Sequence, residues 1–233
     1  MSDQRRPFPD EAGNRVQAGA GGKRGRAAPM VAVLLLAAAC GWLVMELEIL
    51  GTRMLAPYFG SSIYVVMGSV IGVFLLSLSG GYVLGGWLSR REAAKRALGM
   101  CLIIAGGWLC AVPGLLRPVC DALLDAGLDE KWGSLLAAFA LFGLPTLMLG
   151  MVSPTAVRWL TQRAAESGLK AGLVLGCSTV ASFAGCVVTA FYLILLSARR
   201  TVRVSGSVLI AVGAIVLVQA VLAGRAPSVG GRP

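Results

Sequence analysis

Residues 29–50 read PMVAVLLLAAACGWLVMELEIL, a run of 22 with no lysine or arginine and only two carboxylates, Glu46 and Glu48, close to its far end. About 20 apolar residues in helical conformation cross the hydrocarbon core of a bilayer, whereas a buried helix of a water-soluble protein needs only one apolar face. The run is apolar around its whole circumference, so it predicts a transmembrane helix.

Five further stretches repeat the pattern, at 63–88, 97–116, 133–157, 171–198 and 204–224. The 233-residue chain is 57% hydrophobic and 14% charged, and its charges are gathered between these stretches. Backbone amides in lipid must be satisfied within the spanning element. Runs this long suit helices, not the roughly ten-residue alternating strands of an outer-membrane barrel. The expected fold is all-α: a polytopic bundle of about six transmembrane helices, in which 29–224 form the membrane domain. Residues 1–28, rich in Gly, Ala and Arg without apolar periodicity, read as a disordered basic tail, and 225–233 as a short C-terminal tail.

Charge distribution sets the expected orientation. Fifteen of the 21 Lys and Arg residues fall in the N-terminal tail, Arg90–Arg96, Arg158–Lys170 and the C-terminal tail. The other six are Arg53, Arg117, Lys131, Arg199, Arg200 and Arg203. The excess predicts an inner (plasma) membrane protein with both termini in the cytoplasm, against which the Arg199–Arg203 loop is the exception. Lys23, Arg24 and Arg26 ahead of an apolar run also suit a signal peptide, with Ala37–Gly41 as a loose lipoprotein cleavage site. The run continues to Leu50, however, which favours an uncleaved span. Nucleic acid is not implied by a net charge of +10 distributed in this way.

The chain has no histidine, which removes the commonest metal ligand and general base. Its six cysteines, Cys40, Cys101, Cys110, Cys120, Cys177 and Cys186, form no C-x-x-C pair and read as small packing residues. Only Cys120 is expected in an external loop. No metal, cofactor or catalytic residue is expected.

Glu46 and Glu48 are the most informative residues. A carboxylate at the centre of a membrane helix costs about 2.5–3.5 kcal/mol on insertion scales, so each needs a partner or a task. At ~100° per residue they point about 200° apart, so one cavity takes only one of them. Arg53 lies near the face of Glu46 and about 10 Å further along the axis. Two readings stand: an ion pair from Glu46 to Arg53 with Glu48 snorkelling to the headgroups, or a substrate or proton site. Gly68-x-x-x-Gly72 and Gly81-x-x-x-Gly85 predict close helix packing. Pro145 and Pro154 predict a break in the fourth span, and Ser178, Thr179 and Ser182 hydrogen bonds across helices.

The strings Glu48-Ile-Leu-Gly-Thr-Arg53-Met-Leu-Ala-Pro57-Tyr-Phe-Gly60-Ser-Ser, Gly150-Met-Val-Ser153-Pro154-Thr-Ala-Val-Arg158 and Cys177-Ser178-Thr179 with Thr189-Ala-Phe-Tyr192 resemble the membrane region of the spermidine synthase-like proteins, fused transporter and aminopropyltransferase chains. The resemblance runs from about Met30 to Arg200. It implies Glu48, Arg53, Ser153, Pro154, Arg158, Ser178 and Thr179 as binding positions, to which Glu46 is added as the second intramembrane acid. Gly85-Gly-Trp-Leu-Ser89-Arg90-Arg91 with Lys95-Arg96 resembles the loop after the second helix of major facilitators, and implies a major-facilitator-half-like bundle. Both patterns usually carry an acid where this chain has Ser89. Gly176-Cys177 and Ala181 are further departures.

The fused proteins also carry a soluble Rossmann-like transferase domain, and no stretch here is long enough for a nucleotide-binding unit. The expectation is therefore a membrane module that is not itself the transferase. It would anchor or serve a separately encoded aminopropyltransferase-like or methyltransferase-like partner and move a small cationic metabolite. The alternatives are a six-helix half-transporter acting as a homodimer, or a scaffold that transports nothing.

Overall fold

The structure, a computed structural model, describes residues 12–60, 63–91, 93–161 and 166–225. Eight α-helices follow in order: α1 (Ala12–Phe59), α2 (Ile63–Leu88), α3 (Ala94–Asp125), α4 (Glu130–Ala138), α5 (Leu144–Gly150), α6 (Val152–Leu160), α7 (Ser167–Phe191) and α8 (Ala198–Arg225). A π-helical turn, Phe139–Gly143, joins α4 to α5, and a 3₁₀ turn, Leu193–Leu195, follows α7. Six of the resulting segments are long and apolar enough to cross a membrane, α4 to α6 together making the fourth. The protein is an all-α, multi-pass membrane bundle.

Several boundaries differ from the sequence expectation. Residues 12–28, read as disordered, continue α1, because a helix already nucleated by the span elongates into a preceding stretch without a second nucleation step. Residues 1–11 and 226–233 lie outside the described residues. The third helix runs nine residues past Leu116 to Asp125 and contains Pro113 and Pro118. Cys120 is accordingly a buried helix residue and not a loop residue.

The spans pair in three sets: α1 against α7, α2 against the fourth span, and α3 against α8. Each seam is a place where glycine lets backbones meet. A Cβ at Gly185 of α7 would lie 2.8 Å from the Trp42 carbonyl oxygen of α1. Gly85 of α2 would bring a Cβ within 2.6 Å of Met151. Gly99 and Gly106 of α3 face Gly213 and Gly206 of α8, so glycines seven apart on one helix meet glycines seven apart on the other. Exchanging spans one with four, two with five and three with six leaves this pairing unchanged.

Gly81 and Gly85 therefore pack as expected, but Gly68 and Gly72 do not. Nothing lies within 4 Å of a Cβ at either position. Likewise Ser182 donates to the Ser178 carbonyl one turn back on α7 rather than across to another helix. Gly41 of α1 abuts that turn.

The fourth span breaks where proline predicts, and a neighbour repairs the break. Pro145 has no N–H to donate to the carbonyl of Leu141, four residues earlier. The indole N–H of Trp108 on α3 donates to that carbonyl instead, at 3.0 Å. Just past the next break, at Met151, the buried Thr155 hydroxyl donates to the Met151 carbonyl at 2.7 Å.

Candidate functional site

Glu46 and Glu48 occupy opposite sides of α1, and among the described residues only Glu46 has side-chain partners. Glu46 is 3% exposed. The indole N–H of Trp42, one turn back, donates to its Oε2 at 2.9 Å. The hydroxyl of Ser205 on α8 donates to Oε1 at 2.5 Å. Hydrogen bonds of this kind are electrostatically stronger away from water. With both oxygens engaged, Glu46 clamps α8 to α1.

The Glu46–Arg53 ion pair, one of the two sequence readings, is not formed: Arg53 is exposed and the ion pair found among the described residues is Arg117–Asp121 on α3. The seven-residue offset put the guanidinium too far along the axis, while Trp42 and Ser205 are at the level of the carboxylate.

Glu48 is half-buried and makes no side-chain hydrogen bond or ion pair among the described residues. It lines a cavity of about 750 Å³ between α1, the start of α2 and the 3₁₀ turn after α7. The walls are Ile49, Ala56, Pro57, Met67, Ile71, Ile194 and Leu195, and the other polar groups are Thr52 and Arg53. The Thr52 hydroxyl is committed to the Glu48 carbonyl at 3.1 Å. The cavity thus presents one carboxylate on an apolar wall with one cation at its rim. This arrangement suits an ammonium group carried on an aliphatic chain.

The remaining sequence candidates lie elsewhere. Pro154 and Arg158 line an open cleft of about 690 Å³ at the other end of the bundle, with Ser89, Arg90, Thr161 and Ser167. Ser153 is half-buried on α6. Ser178 sits at the α1–α7 seam and Thr179 is exposed. Of the eight candidates, Glu48 and Arg53 share one cavity, and Pro154 and Arg158 another. Sequence reasoning missed Trp42, Ser205 and Trp108. Trp42 had a signal, its i, i+4 spacing to Glu46; the other two are set by tertiary packing alone.

Among the described residues no group of three or more Cys, Asp or Glu could hold a metal ion. No family model, no curated protein and no solved structure matches the chain.

Proposed function

We propose that the protein is an inner-membrane module of the spermidine synthase-like kind, with both termini in the cytoplasm, that passes a small organic cation through the Glu48 cavity and serves a separately encoded transferase. The observation that carries the cation reading is the Glu48 carboxylate in an apolar cavity, unpaired among the described residues. An intramembrane acid without a structural partner is a functional group by default. The transferase partner and the polyamine class of substrate rest on the residue strings that resemble that family.

Vesicles containing the protein should take up a labelled polyamine saturably, and Glu48→Gln should lower the rate at least tenfold. Glu46→Gln should leave it within twofold, because the amide still accepts from Trp42 and can donate to Ser205. Uptake that is the same with and without the protein sinks the cation reading. Detergent purification should bring down an aminopropyltransferase-like or methyltransferase-like protein, and recovery of this chain alone sinks the partner reading.

A second reading, a half-transporter completed by another copy, is favoured by α7. That helix is as apolar as its neighbours, yet Leu169, Leu175, Val180 and Phe183 are exposed, and nothing lies near Gly168, Gly172 or Gly176. Under this reading the purified particle has twice the chain mass and Gly172→Leu halves it.

A further inference from the structure

The groove between α1 and α8 has a different character from the Glu48 cavity. Its wider part, about 600 Å³, is lined by Val33, Leu36 and Ala39 of α1, Val216 of α8 and Trp159 of α6, with Lys95 and Gln219 as its polar groups. A narrower chamber of about 220 Å³ continues it. The two share Ala39 and Val212, and the chamber ends at Trp42, Glu46 and Ser205. From Ala32 to Glu46 the groove runs fourteen residues along α1, about 21 Å at 1.5 Å per residue. That is more than half of a hydrocarbon core of about 30 Å, enough to take an acyl chain of one leaflet.

The polar end is cationic. The Lys95 ammonium stands 5.5 Å from the centre of the Trp159 ring, and no carboxylate among the described residues pairs with it. At the deep end both oxygens of Glu46 already accept hydrogen bonds, from Trp42 and Ser205.

The geometry points to a binding site for one anionic phospholipid of the leaflet on the side of the α2–α3 loop, its phosphate on Lys95 and Gln219 and one acyl chain in the groove. Hydrocarbon contact alone selects nothing here, since lipid tails are as apolar as the leucines and valines they touch. Selection therefore falls to the headgroup, and basic pockets between membrane helices at a headgroup surface are sites for anionic lipid. The site is separate from the Glu48 cavity and does not depend on what that cavity binds.

The test is the lipid retained by the full chain after purification in mild detergent from membranes of known composition, measured by extraction and mass spectrometry. About one phosphatidylglycerol or other anionic phospholipid should remain per chain. Its enrichment over zwitterionic lipid of the same chain length should be about fivefold, the preference expected of one surface lysine. Lys95→Glu should abolish the enrichment. Ile215→Trp, at an exposed position on the groove wall, should reduce total retained lipid irrespective of headgroup. Retained lipid that mirrors the bulk membrane in the wild-type protein overturns the proposal, as does an enrichment unchanged by Lys95→Glu. The wild-type measurement decides the matter even if a variant fails to fold.

Discussion

The two acids of α1 separate by what they touch, and the difference is measurable as stability. Glu46→Leu removes the acceptor for two donors, the half-buried Trp42 indole and the buried Ser205 hydroxyl. Leaving such groups unsatisfied costs about 1–3 kcal/mol. Equilibrium unfolding in mixed micelles should show a loss in that range, while Glu46→Gln keeps most of the stability. Glu48→Gln, at a half-buried side chain without a partner among the described residues, should shift unfolding by less than about 0.5 kcal/mol. Trp108→Phe should cost ~1 kcal/mol, because the Leu141 carbonyl then has neither proline N–H nor indole to accept from. The sequence told that two carboxylates cannot share one cavity, since helical geometry alone puts them about 200° apart. It could not say which one is clamped, because Ser205 lies 159 residues away and meets Glu46 only through the fold.

At the scale of elements, the count and polarity of the spans were legible because lipid demands long apolar runs and permits few alternatives. Helix lengths were not. The apolar stretch of α3 stops at Leu116, but the helix continues through Arg117 and Asp121, which pair with each other on its exposed face at 3.5 Å. Membrane thickness limits hydrophobicity, not helix length. Glycine spacing was an equally partial guide, since Gly81-x-x-x-Gly85 packs and Gly68-x-x-x-Gly72 does not, and only the neighbouring helix tells them apart. Substitutions should divide in the same way. At Gly106 a Cβ would lie 2.5 Å from the carbonyl oxygen of Gly206, a backbone atom that cannot turn aside. Gly106→Val should therefore abolish the folded, monodisperse protein in size-exclusion chromatography. Gly72→Val, in open space, should elute as the wild type does in the monomeric state.

For the whole molecule, the charge bias and the pairing pattern make independent statements. The bias predicts orientation, which single cysteines in a background lacking the native six can read. Asp129→Cys should react with a membrane-impermeant maleimide added outside intact cells, and Arg96→Cys only after permeabilisation. The reverse pattern would invert the proposed orientation and place the Glu48 cavity toward the cytoplasm. The pairing of spans one with five, two with four and three with six is legible in no stretch of sequence, because each seam joins segments far apart in the chain. It is also compatible with an inverted repeat of three helices and three helices, the arrangement from which transporter halves are built.

That pairing has a consequence for how the chain is made. Spans leave the ribosome in order, and the α2 seam can close once the fourth has entered the membrane, the α1–α7 seam once the fifth has. The α3 seam must wait for α8. Until then Gly99 and Gly106 line an empty furrow, and Glu46 lacks the hydroxyl that holds its second oxygen. A nascent chain stalled between α7 and α8 therefore carries a carboxylate short of a donor within the bilayer. The arrival of Ser205 with α8 supplies the missing donor.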